Sequence, residues 1–142
     1  MLLYLFSIVL TVFANVLYHL FQKSIASQVN PFVSLIATYF TAIIFSVSCL
    51  PFYLKGQNIL ASFKELNWAS YALGIALVGL ELGFLLAYRS GWDLNRAALF
   101  SNVAVTLVLI PIGAAFFREN LSIVNTIGIG LSVLGLILMN HN

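Results

Sequence analysis

The stretch PFVSLIATYFTAIIFSVSCLPF, Pro31–Phe52, runs for twenty-two residues without an Asp, Glu, Lys, Arg or His. About 20 predominantly apolar residues carry a helix across the hydrocarbon core of a bilayer. A helix on the surface of a soluble domain needs a charged or strongly polar face, and this stretch has none. It reads as a membrane span.

The rest of the chain agrees. Of its 142 residues, 62% are hydrophobic and 7% are charged, against about 25% charged in an ordinary soluble domain. Four further segments match the length of a span: approximately Leu2–Phe21, Trp68–Tyr88, Ala97–Phe117 and Leu121–Met139. Every Lys and Arg falls in the breaks between the five. The expected fold is all-α, a single membrane domain over residues 1–142 built as a bundle of five transmembrane helices. The first span is expected to stay in place, because MLLYLFSIVL lacks the basic start and small-residue cleavage pattern of a secretory signal.

The breaks carry helix-start signals. Asn30 before Pro31 pairs an N-cap residue with proline at the first helical position. DLN before Arg96 and EN before Leu121 are of the same kind. The short fourth connection, Arg118 to Asn120, makes spans four and five antiparallel neighbours. In the longest connection, Lys55–Asn67, the residues Ile59, Leu60, Phe63 and Leu66 fall on one helical face. They fit a short interfacial helix and equally an ordinary loop.

Basic residues near the spans orient a membrane protein. Lys55, Lys64 and Arg118 fall on the amino-terminal side, and Lys23, Arg89 and Arg96 on the other. An even count sets no orientation. It fits insertion in both directions, and it also fits a single orientation that one further lysine would decide. Five spans put the termini on opposite sides, so two copies in opposite orientations would form an antiparallel homodimer of ten helices. Inverted repeats of this kind frame midplane binding sites in secondary transporters.

Polar side chains recur inside the spans. Thr11, Asn15, Tyr18, His19 and Gln22 share one side of the first. Ser34, Thr38, Thr41 and Ser48 line the second, with Tyr39 beside them. Tyr71, Gly74, Glu81 and Tyr88 mark the third, and Asn95, Asn102, Thr106 and Gly113 the fourth. They are placed to converge on one polar, aromatic cavity, or to bond helix to helix as structural glue.

Glu81 stands apart. At 1.5 Å per residue it lies only about 4–5 Å from the centre of its span. An ionised carboxylate at the bilayer centre costs about 2.5–3.5 kcal/mol on insertion scales, and its side chain is too short to reach the surface. It therefore faces protein or a water-filled cavity. A proton taken up and released there would couple to a cationic solute; a neutral Glu81 bonded to His19, Asn102 or a tyrosine would be structural. Gly79 and Gly83 around it, and Gly128, Ser132 and Gly135 in the last span, form small-residue faces. Pro111 removes a hydrogen bond inside the fourth span, which makes it a candidate conformational hinge or a fixed bend.

The last third, AALFSNVAVTLVLIPIGAAFFRENLSIVNTIGIGLSVLGLILMN, resembles the end of the five-helix EamA-like unit of the drug/metabolite transporter superfamily. The shared features are Pro111, FFREN with Glu119, and Gly128, Gly130 and Gly135; Asn15 and Lys23 are similar to residues at the start of that unit. The resemblance implies a secondary transporter, often an exporter of metabolites or drugs, in a bacterial or archaeal cell membrane. Most members join two such units in inverted orientation, whereas this sequence holds one. The four-helix small multidrug resistance relatives place an essential glutamate in their first helix, where this chain has no acid, so the case for Glu81 rests on its physics.

The expected function is transport of a small organic solute through a midplane site contacted by Glu81, Asn15, Tyr18, Tyr39, Asn102 and His19. The alternative is a non-transporting membrane subunit that stabilises or regulates a larger complex. An enzyme is not expected, since His19 and His141 are far apart and no triad or phosphate-loop pattern occurs. The expected partners are the solute, membrane lipid and a second copy. No cofactor, metal or nucleic acid is implied by so few charges, and the single cysteine, Cys49, reads as inert filler.

Overall fold

A computed structural model describes residues 2–54, 56, 58–117 and 122–140. Among these residues six helices follow in order: α1 Leu2–Ser24, α2 Pro31–Leu54, α3 Ile59–Lys64, α4 Trp68–Arg89, α5 Leu94–Phe116 and α6 Ile123–Asn140. No strand occurs among the described residues. Among the described residues four helices, α1, α2, α4 and α5, are long and apolar enough to cross a membrane. The expected fifth span is cut back. Its apolar helix covers Ile123–Met139, short of the about 20 residues that a span ordinarily uses, and Leu121 lies outside the described residues. So do Lys55, Arg118, Glu119, Asn120 and His141.

Local chemistry sets the helix ends. Asn30 Oδ1 accepts the Phe32 N–H at 2.9 Å, and Pro31 opens α2 with no N–H left to satisfy. Asn67 caps α4 in the same way, accepting from Ala69 N at 3.1 Å. The connection after α2 contains a helix, the six-residue α3, capped by Asn58 through Leu60 N. Leu66 falls beyond its end. Helix α5 starts at Leu94, three residues ahead of the expected Ala97, and Asp93 precedes it without a side-chain cap bond. In the connection between α4 and α5, Gly91 has a φ of +99°, a left-handed conformation that favours glycine. Both Pro51 and Pro111 are carried inside continuous helices.

The chain forms two compact units, Met1–Ser90 and Gly91–Asn142. In the first, α4 packs against both α1 and α2. Arg89, the last residue of α4, donates from Nη2 to the carbonyls of Val29 (2.8 Å) and Ala26 (3.2 Å) in the α1–α2 connection. The carboxyl ends of α1 and α4 therefore lie together, so the two helices run the same way and α2 runs against both. In the second unit α5 packs on α6.

Burial is inside out relative to a soluble protein. The buried residues of the first unit are Leu35, Leu85 and Tyr88 together with the polar His19, Gln22 and Glu81. Large apolar side chains such as Phe45, Phe52 and Ile75 are more than two-thirds exposed. In lipid this ordering is sound, because acyl chains solvate Phe and Ile as well as a core does. Polar groups have no such solvent there and turn inward.

Candidate functional site

All the buried residues of the first unit cluster in the carboxyl halves of α1 and α4 and the amino half of α2. Side-chain bonds join α1 to α4 at this point. Gln22 Nε2 donates to the main-chain carbonyl of Glu81 at 2.6 Å, and His19 Nδ1 shares a 2.8 Å hydrogen bond with Tyr88 Oη. The rings around them interlock: His19 stands edge-on to Phe84 with centroids 4.7 Å apart, and Phe84 stacks on Tyr88 at 6.1 Å. The Lys23 ammonium lies 5.9 Å from the centre of the Tyr88 ring, within reach of a cation–π attraction.

Beside this seam α1, α2 and α4 border an open cavity of about 460 Å³. Tyr18 and Gln22 line it from α1, Ser34, Thr38 and Thr41 from α2, and Glu81 from α4. The spacings of four and three residues bring these groups to one face of each helix. Thr41 Oγ1 is already engaged, donating to the carbonyl of Ala37 at 2.9 Å. Glu81 is 9% exposed, and no ion pair or hydrogen bond engages its carboxylate among the described residues. The Tyr18 and Tyr39 hydroxyls lie within electrostatic range of Glu81 and are buried without a partner among the described residues. A buried hydroxyl left unpaired costs about 1–3 kcal/mol. The lining thus offers one acid, Glu81, and one unspent phenol, Tyr18, and carries no cation, while Tyr39 is not on the lining. That set can receive a solute carrying both a positive charge and acceptor atoms.

The structure brings four of the sequence-nominated residues into this neighbourhood: Tyr18, His19, Tyr39 and Glu81. His19 is committed to Tyr88 and faces the aromatic seam rather than the cavity. Asn15 is exposed on α1 and is not on the lining. Asn102 belongs to the second unit, where it lines a cavity of about 230 Å³ between α5 and α6 together with Thr106 and Ser132. Pro111 is exposed, midway along the carboxyl half of α5. Gln22, Ser34, Thr38 and Thr41 line the cavity from the polar stripes without having been expected as contacts, and Arg89 at the end of α4 was not expected to bond at all. The signal for Gln22 was its place one turn beyond Tyr18 on the same stripe; Arg89 carried none, since its acceptors are backbone carbonyls sixty residues away. Among the described residues no group of three His, Cys, Asp or Glu is placed to hold a metal ion.

No family model, curated protein or solved structure matches the chain. The fold and site therefore define a class only: a helical membrane protein with an open cavity, bearing an acid and a tyrosine, between α1, α2 and α4.

Proposed function

We propose that the protein is a secondary transporter of a small organic cation, built as an antiparallel homodimer of five-span subunits like those of the drug/metabolite transporter superfamily. One observation carries the reading. Glu81 sits near the middle of a spanning helix, buried, without a partner cation, on the wall of a cavity large enough for a small solute. An acid in that position is costly and is kept where it acts on an ion or a proton. Proton release from Glu81 on one side, and its replacement by the substrate's positive charge, would drive exchange of proton for solute. Tyr18 and Tyr39 supply aromatic faces and hydroxyls for orientation.

Two features support the dimer, and a third bears on the fifth span. The basic residues divide three against three. Within its own unit, a methyl group placed on Gly79, Gly83, Gly128 or Gly135 would meet no atom of a neighbouring element within 4 Å, which leaves these small-residue faces room for close approach by another helix. Helix α6, about 27 Å long at 1.5 Å per residue, would cross if the bilayer thinned slightly around it. Rocking of helices about Pro111 and the glycines would alternate access.

The test is ethidium efflux from proteoliposomes under an imposed proton gradient. Wild type is expected to move ethidium, and Glu81→Gln is expected to abolish movement while keeping the same elution volume in detergent. Equal rates for the two proteins would refute the coupling role of Glu81. No ethidium movement by wild type, with loss of assembly in Glu81→Gln, would favour the non-transporting subunit. Carboxyl-terminal reporters, one active only in the cytoplasm and one only outside, should both give signal; signal from one alone would remove the antiparallel homodimer.

A further inference from the structure

The second unit holds a pocket of another character, away from any residue assigned above. Arg96 and Phe100 are one turn apart on α5, Trp92 precedes the helix, and Leu136 and Met139 face them from α6. Together they line a half-open pocket of about 100 Å³. The rings of Trp92 and Phe100 meet edge to face at 5.7 Å. Four of the five walls are apolar, and Arg96 is the single charge.

That charge is poorly served by its own chain. Its only side-chain partner among the described residues is Asp93, with Nε and Oδ2 3.7 Å apart and both side chains substantially exposed. The separation is too long for a hydrogen bond, and exposed pairs of this kind contribute little. Arg96 also occupies the first turn of α5, where the positive end of the helix dipole opposes a cation. Neither helix formation nor ion pairing accounts for an arginine there. An external anion would satisfy both defects.

The pocket is graded along its length. Trp92, Arg96 and Met139 sit at the helix ends, while Phe100 and Leu136 lie about one turn deeper, roughly 6 Å at 1.5 Å per residue. A guanidinium and an indole at the rim, with hydrocarbon walls below, repeat the order of groups across the edge of a bilayer, where tryptophan concentrates. The matching ligand is amphiphilic, with an anionic head and a hydrocarbon chain. A guanidinium fork engages phosphate oxygens two at a time.

We propose that this pocket binds an anionic phospholipid, its phosphate on Arg96 and the first methylenes of an acyl chain against Phe100 and Leu136. The inference depends on the membrane reading of the helices and not on transport.

Trp92 reports on occupancy. Trp68, at the exposed start of α4, is replaced by Phe so that Trp92 is the remaining indole, and the protein is reconstituted in phosphatidylcholine vesicles. Phosphatidylglycerol with brominated acyl chains is then titrated, against brominated phosphatidylcholine at equal mole fraction. The anionic lipid is expected to quench with about fivefold greater apparent affinity, the factor equivalent to about 1 kcal/mol per basic residue at an anionic surface. Arg96→Gln is expected to erase the difference. Equal quenching by the two lipids, or an unchanged preference in Arg96→Gln, would overturn the proposal. If Arg96→Gln does not fold, unbrominated phosphatidylglycerol decides: relief of quenching at saturation supports a site, and its absence overturns one. Relief by millimolar inorganic phosphate would also overturn it, since the ligand would then be the free anion.

Discussion

Replacing Arg89 with Ala removes the clamp between the end of α4 and the α1–α2 connection. The two bonds it makes are unequal. The carbonyl of Ala26 also accepts the Val29 N–H at 3.2 Å, so it keeps a partner when Arg89 is lost. The carbonyl of Val29 is part-buried and holds the shorter bond of 2.8 Å. A hydrogen bond to a charged group contributes about 1.5–3 kcal/mol. Arg89 Nε is buried without a partner among the described residues, and removing it recovers part of that. The net loss is expected to be about 1–2 kcal/mol. Arg89→Lys should fall between Ala and wild type, because one ammonium cannot reproduce the planar fork. The assay is reversible unfolding in mixed micelles of dodecyl maltoside and SDS, followed by helical circular dichroism. Arg89→Ala within about 0.5 kcal/mol of wild type, the range of an ordinary surface substitution, would refute the clamp.

Two further outcomes are read by the same titration. Tyr88→Phe and His19→Ala should show a coupling of about 0.6 kcal/mol and no more than about 1.7 in a double-mutant cycle, the range measured for bonds between membrane helices; additivity would mean that the 2.8 Å bond between them carries no weight. Asn67→Ala should cost about 1 kcal/mol through loss of the cap on Ala69 N, and Asn67→Asp should restore most of it.

Much of the architecture is legible in residue order. A segment of twenty-two uncharged residues can only be a helix in lipid, because each peptide group must find its partner within the segment. Asn30 with Pro31, and the interruptions rich in Lys, Asn and Gly, mark where the helices stop. The ends themselves were less legible. Asp93 looks like a cap and forms no cap bond, while Ser122, just before α6, accepts the Asn125 N–H at 3.1 Å. The connection after α2 carried a pattern that suited helix or loop, and the Asn58 cap decides for a short helix.

The candidate site divides along the same line. Glu81 was conspicuous from residue order, since the cost of its charge depends on depth in the bilayer, and depth follows from counting residues. The composition of the cavity was not. Tyr18, His19 and Gln22 share one stripe on α1, yet Tyr18 and Gln22 line the cavity while His19 turns to Tyr88. A stripe about 100° wide spans two neighbours, and periodicity cannot say which neighbour each residue meets. Asn102 likewise has the spacing of a site residue but belongs to a different packing unit.

The choice of solvent, the apolar helices and the acid at depth are thus written into the residues one at a time, because each follows from the free energy of single side chains and peptide groups in hydrocarbon. Which side chains share a cavity with that acid, and which are spent holding α1 to α4, came from the packed fold. Those pairings depend on the direction and packing of helices sixty residues apart, and no local preference encodes them.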